Sequence, residues 1–157
     1  MALGLGVAVV VAILDQLTKY WVIAFFDARP PGAPVAEFTP FFNLVLTGNR
    51  GMSFGLFNND AAANTAVFTV LAAAIVIALI LWLRRAETAV LRVGIGLVIG
   101  GAIGNVIDRL WHGAVVDFLD FHLGGWHWFA FNLADAAICL GVVALLLDSL
   151  IGRARTA

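Results

Sequence analysis

Residues 89–110 read AVLRVGIGLVIGGAIGNVIDRL, an apolar run long enough to cross a lipid bilayer that nonetheless closes on Asn105, Asp108 and Arg109. About 20 helical residues span the ~30 Å hydrocarbon core. A charged side chain at the centre of that core costs roughly 2.5–3.5 kcal/mol, so ionisable groups inside a span mark a pathway or a reaction centre. Three further stretches share this character, at about 3–25, 61–83 and 131–151. Asp15 and Lys19 lie in the first, Asp135 lies in the last, and Asp117 follows the third. With 62% hydrophobic and only 12% charged residues in a chain of 157, the polar surface of a soluble domain is missing. The expected fold class is an all-α membrane protein, a four-transmembrane-helix bundle occupying residues 1–157 as a single domain.

The remaining composition excludes other classes. A formal charge of −1 provides no basic field for nucleic acid. One cysteine, Cys139, rules out an internal disulfide framework and reads as a core residue. The N-terminal MALGLGVAVVVAIL resembles a signal-peptide core, but it lacks a basic leading segment and an A-x-A cleavage site and reads as a retained span. Arg84, Arg85 and Arg92 flank the link between spans two and three, and Arg153 and Arg155 follow span four. The positive-inside rule places these residues and both termini in the cytoplasm, with the connections 26–60 and 111–130 facing outward.

Each outer connection has its own pattern. The first carries Pro30, Pro31, Pro34 and Pro40, then FFNLVL and a Thr-Gly-Asn-Arg-Gly close, which reads as an extended segment ending in a turn. In the second, Gly124-Gly125 suits a hairpin, and Trp111, Phe118, Trp126, Trp128 and Phe129 are residue types that settle at a membrane interface. An aromatic-rich outer cap over the bundle is expected. Gly96, Gly100 and Gly104 form a small-residue stripe that reads as internal helix packing rather than a dimer seam.

The polar residues admit several chemistries. Asp15 and Lys19 are four apart and share a helix face, as a register-fixing ion pair would. A Ser-Lys arrangement with Ser53 as nucleophile is disfavoured, because a lysine beside a carboxylate keeps its proton. Arg109 offers a fork for a substrate carbonyl. His112, His122 and His127 do not form an HExxH pattern, so neither a metal nor any cofactor is expected. Asp120 reads as a solvated residue at the interface, and Asp148 as a boundary residue. Asp135, with Asn132 one turn earlier, should face the bundle, where it meets either Asp117 or Asp108. Two close carboxyl groups share one proton, so one acts as base toward water while the other polarises a carbonyl. That is aspartic-peptidase chemistry. The rival readings are a small proton- or ion-conducting membrane protein using the same acids, and a structural membrane subunit.

Five blocks in order, DQLTK (15–19), NRGMSFG (49–55), GGAIGNVIDR (100–109), VVDF (115–118) and FNLAD (131–135), resemble the lipoprotein signal peptidase (signal peptidase II) family. The resemblance implies a small extracytoplasmic β-rich cradle on the bundle and an aspartyl endopeptidase of the bacterial inner membrane. It implies cleavage of diacylglyceryl-modified prolipoproteins just before the lipidated cysteine, by a monomer whose partners are those substrates and membrane lipid. By position, it assigns catalysis to Asp117 and Asp135, and site-lining or supporting roles to Asn49, Asn105, Asp108, Arg109, Asn132, Asp15 and Lys19. Arg50 and Met52 stand where the family commonly has smaller residues, which is expected to alter the cradle rim and not the chemistry.

Overall fold

The structure, a computed structural model, describes residues 1–50 and 61–156. Ser53 and Met52 therefore lie outside the described residues. Four long helices, α1 (Ala2–Asp27), α2 (Ala61–Leu83), α3 (Ala89–His112) and α4 (Leu133–Thr156), are joined by strands β1 (Val35–Thr39), β2 (Phe42–Asn49), β3 (Val115–Leu123) and β4 (Trp126–His127). Each helix is long and apolar enough to cross a membrane. The expected class, a four-helix membrane bundle with a small sheet, is what the chain adopts.

The helices differ in how much protein surrounds them. In the apolar 18-residue core of α2, within Thr65–Leu83, mean hydropathy is 2.9 and only 6% of residues are buried, against 56% in the corresponding 18 residues of α3. A helix that is apolar on all sides yet packed along only one needs lipid as its solvent. α3 is the central element and packs against α1, α2 and α4. Its glycines make that possible. A Cβ built on Gly100 would lie 2.6 Å from the Ala8 carbonyl oxygen of α1, and one on Gly104 would collide with the Asp15 carboxylate. Small residues here let backbones approach as in tight membrane helix pairs. Gly100→Ala is accordingly expected to destabilise the bundle by about 1–3 kcal/mol, the usual cost of overpacking, read as a lower unfolding midpoint in detergent.

The ends of α3 are defined by local chemistry. The Thr88 hydroxyl accepts from the Leu91 N–H at 3.0 Å at its start and donates to Asp148 of α4 at 2.5 Å. At its end Gly113 adopts a left-handed conformation with φ 70° and donates its N–H to the Arg109 carbonyl at 3.1 Å, turning the chain into β3.

The strands form one antiparallel sheet in the order β1-β2-β3-β4 over one end of the bundle. Gly124 and Gly125, at φ 59° and 84°, make the two-residue turn between β3 and β4. Leu44 pairs with Leu119 and Thr47 with Asp117, so β2 carries one extra residue between them. This bulge increases the local twist beside Asp117. Val22 and Phe26 of α1 pack with Ala36, Leu44 and Phe118, fastening the sheet to the helices.

Candidate active site

Asn132 is the residue around which the site is built. It caps α4 reciprocally: its Oδ1 accepts the Asp135 N–H at 3.0 Å, and Asp135 Oδ2 accepts the Asn132 N–H at 3.3 Å. The cap fixes Asp135 in the first turn of α4, where the helix dipole favours negative charge. The Asn132 amide, fully buried, donates to Asp117 Oδ1 at 2.7 Å and to Asn105 Oδ1 at 3.3 Å. Asn105 in turn donates to Asp135 Oδ1 at 2.8 Å. Asn132, Asn105 and Asp135 thus close a hydrogen-bonded ring drawn from α3 and the start of α4, and Asp117 of β3 is attached to it through the Asn132 amide.

The two acids have unequal surroundings. Asp117 is 2% exposed and accepts a second amide, from Asn49 at 2.9 Å. Burial pushes its carboxyl from 3.8 up to about 6; the Asn49 amide holds it lower, and the charge of Asp135 adds to the rise. Asp117 also lines a groove of about 890 Å³ between Leu46, Asn49, Arg50, Val116 and Phe129. Its carboxyl is therefore dry yet adjacent to an opening large enough for an extended peptide.

Beneath this ring lies a second cluster. Lys19 Nζ donates to Asp15 Oδ2 at 2.7 Å, to Asp108 Oδ2 at 2.8 Å and to Asn105 Oδ1 at 3.2 Å. Its three donors are matched by three acceptors. Asp15 Oδ1 accepts the Ala134 N–H at 2.9 Å, one of the free donors at the start of α4, and Asp108 Oδ2 accepts the Val116 N–H at 3.0 Å. The cluster ties α1, α3, α4 and β3 into the frame that holds the acid pair. A lysine so engaged is not a general base, which counts against the Ser-Lys reading. Gln16, which sequence reasoning passed over, donates to Asp108 Oδ1 at 2.9 Å and to the Gly104 carbonyl at 3.2 Å. Its adjacency to Asp15 was the available signal.

Arg109 donates to the Asn105 carbonyl at 3.3 Å and lies over the Phe68 ring of α2 at 5.7 Å. Its Nε is buried with no partner among the described residues, and its charge acts on Asp135, Asp108 and Asp117. It borders a second groove, of about 660 Å³, beside Thr65, Thr69 and Val70 of α2. Arg50 lines both grooves.

Two expectations fail. Asp120 is not solvated: it is 7% exposed, accepts from Asn43 at 3.0 Å, and meets His127 Nδ1 at 2.9 Å. The cross-strand register that brings Asn43 opposite it is invisible in a single strand's pattern. Cys139 is exposed, not core. An apolar α4 presents one side to lipid, and the residue type cannot distinguish lipid from protein neighbours.

Fold and site together define a multi-pass integral membrane protein whose sheet-bearing end encloses an asparagine-linked pair of acids beside a groove. The profile of the family described as signal peptidase (SPase) II matches residues 7–151. The chain is 45% identical over 154 residues to a lipoprotein signal peptidase of Rhodopseudomonas palustris, covering 96% of this chain and 93% of that protein. It is 46% identical over 150 residues to that of Nitrobacter hamburgensis, covering 93% and 90%. A solved structure titled "Bacterial membrane enzyme structure by the in meso method at 2.3 A resolution" superposes with a TM-score of 0.81 at 28% identity, over 100% of this chain and 93% of that one. The chain belongs to the signal peptidase II family.

Proposed function

We propose that this protein is an aspartyl endopeptidase that removes the signal peptide from diacylglyceryl-modified prolipoproteins, cutting just before the lipidated cysteine, with Asp117 and Asp135 as its catalytic acids. Family membership supports the peptidase activity and its prolipoprotein substrates. The observation that supports the assignment of the acids is the single residue Asn132, whose amide donates to Asp117 and whose reciprocal cap holds Asp135.

In this reading the substrate's signal helix lies in the membrane while the scissile peptide crosses the groove beside Asp117. One proton is shared by the pair. The protonated carboxyl polarises the scissile carbonyl, and the ionised one takes a proton from the attacking water. The tetrahedral carbon then expels the amine of the lipidated cysteine, which takes the proton back, and no covalent enzyme intermediate forms. Asn49 orients Asp117, and Arg109 steadies a substrate backbone oxygen, a positioning effect on the barrier. Asn105, Asp108, Asp15 and Lys19 support the acids and do not touch the peptide. The chain acts as a monomer forming one domain in the bacterial inner membrane, with both termini cytoplasmic and the sheet on the opposite side.

Reconstituted protein given a lipidated precursor should release a shorter product and no ion current. Ion flux without cleavage would favour the channel. The polar clusters gather at the sheet-bearing end, whereas a conduction path needs them across the full depth; at the far end Asp148 is already bonded to Thr88.

The pH profile follows from Asp117. Its carboxyl, raised to about 6, carries the shared proton below that value and loses it above. Cleavage is expected to fall between about pH 5 and about pH 7, one unit either side of that raised value of about 6. Because the Asn49 amide lowers the Asp117 value, Asn49→Ala should move the midpoint to higher pH. A midpoint unmoved by that substitution would remove Asp117 from the profile.

A further inference from the structure

Away from the acid pair, one buried carboxylate ties β2, β3 and β4 together. Asp120 of β3 stands directly opposite Asn43 of β2, whose amide donates to its Oδ2 at 3.0 Å. From β4, His127 Nδ1 lies 3.0 Å from Oδ1 and 2.9 Å from Oδ2 of the same carboxyl. A carboxylate only accepts, so Nδ1 of His127 carries the hydrogen. The His127 ring also stacks on His122, its partner across the hairpin, at 4.8 Å between centroids. Asp120 and Asn43 are 7% and 6% exposed. Water therefore offers Asp120 no ready substitute for either partner.

The chain that carries His127 stays beside β3 beyond the hairpin. The Trp128 N–H donates to the Phe121 carbonyl at 2.8 Å, Leu119 and Phe131 exchange bonds at 2.8 and 3.1 Å, and the Asn132 amide reaches Asp117 Oδ1 at 2.7 Å. As the return chain advances through 127, 128, 131 and 132, it meets positions 122, 121, 119 and 117 of β3 in turn. The contact between Asn132 and Asp117 is thus the last rung of a ladder that begins at the Gly124-Gly125 turn. Little in the backbone fixes where the rungs fall. β4 has only two paired residues, and two glycines accept many turn conformations. His127 is flanked by Trp126 and Trp128, so a slip of one residue would put an indole in its place, strip Asp120 of a partner and carry Asn132 away from Asp117.

We infer that the bond between His127 and Asp120 locks this register, which makes His127 a positioning residue for the catalytic pair, acting through Asn132. Ring contacts tolerate small shifts, whereas a hydrogen bond weakens steeply with length and angle, so the polar pair is what discriminates one register from the next. Asn43 holds Asp120 in place from the other side, so the carboxylate is a fixed reference on β3. The consequence reaches both acids, because Asn132 donates to Asp117 and its cap holds Asp135. Misplacing such a support by about 1 Å can cost about 10²-fold in rate even when it lies away from the reacting atoms. The inference rests on the proposed function for its turnover readout alone; the titration of Asp117 reads the positioning whether or not the protein cleaves.

The test uses the full chain in detergent with isotope-labelled aspartate. The Asp117 carboxyl resonance is identified by its loss in Asp117→Asn, and its titration is followed by NMR. Burial raises that carboxyl to about 6 while the Asn49 and Asn132 amides hold it lower, so a displaced Asn132 lets it rise further. His127→Phe keeps a ring to stack on His122 but removes the donor. It is expected to move the Asp117 titration to higher pH and to lower kcat for a lipidated precursor by about 10–10²-fold, with KM little changed. His127→Asn, which keeps an N–H near the Nδ1 position, is expected to restore both. If His127→Phe leaves the Asp117 titration where it was, or His127→Asn shifts it as far as His127→Phe does, the inference is overturned. Should the His127→Phe protein fail to fold, Asp120→Asn decides: one amide oxygen then serves two donors, and an upward shift of the titration supports the lock while an unmoved one overturns it. Absence of cleavage by the unaltered chain, with the titration shifts present, would count against the proposed function and support the lock.

Discussion

Asp117→Asn and Asp135→Asn are each expected to lower precursor cleavage by about 10²–10⁴-fold, the range supplied by a positioned acid or base. Asparagine keeps the shape and one acceptor but can neither carry the shared proton nor take one from water. At position 117 it can still accept from Asn132 while losing one of the two amide bonds that Asp117 receives. The unfolding midpoint should therefore move little while turnover collapses. Turnover of bound lipidated precursor, followed by gel shift alongside thermal unfolding in detergent, separates the two. Substantial activity in either variant would dissolve the pair.

The second large effect concerns stability. Lys19→Met removes the cation between Asp15 and Asp108, which are 0% and 1% exposed, and leaves two carboxylates facing each other in a dry interior. Removing one partner of a buried ion pair costs about 3–5 kcal/mol, chiefly through the charge left uncompensated. Adding Asp108→Asn to Lys19→Met should therefore recover part of the loss, an outcome a double-variant cycle of unfolding midpoints measures. If the two substitutions simply add, the three residues are not acting as one cluster.

What could be read from the chain divides along physical lines. Bilayer-length apolar runs are local and one-dimensional, so the four helices were legible without any tertiary information. So was the pairing of Asp15 with Lys19, because four residues is one helical turn, and the hairpin at Gly124-Gly125, because only glycine takes two positive φ values cheaply. The third member of the cluster, Asp108, arrives from another helix across the Gly104 contact, and no spacing encodes that. The same limit applied to the acids: alternation and helical period leave Asp135 free to meet either Asp108 or Asp117. The structure commits Asp108 to Lys19 and joins Asp117 to Asp135 through Asn132. Asp120 misled for a related reason. An acid next to an aromatic hairpin looks solvated until the partner strand supplies Asn43 and the turn brings back His127.

The central claim is that Asp117 and Asp135 address one reacting carbon, and it is tested most directly by a structure of the protein with a lipopeptide bearing a hydroxyl in place of the scissile carbonyl. The account predicts that hydroxyl within about 3 Å of a carboxyl oxygen from each acid, the reach of a hydrogen bond. A hydroxyl touching only one of them, or seated elsewhere in the bundle with full inhibition, would contradict it.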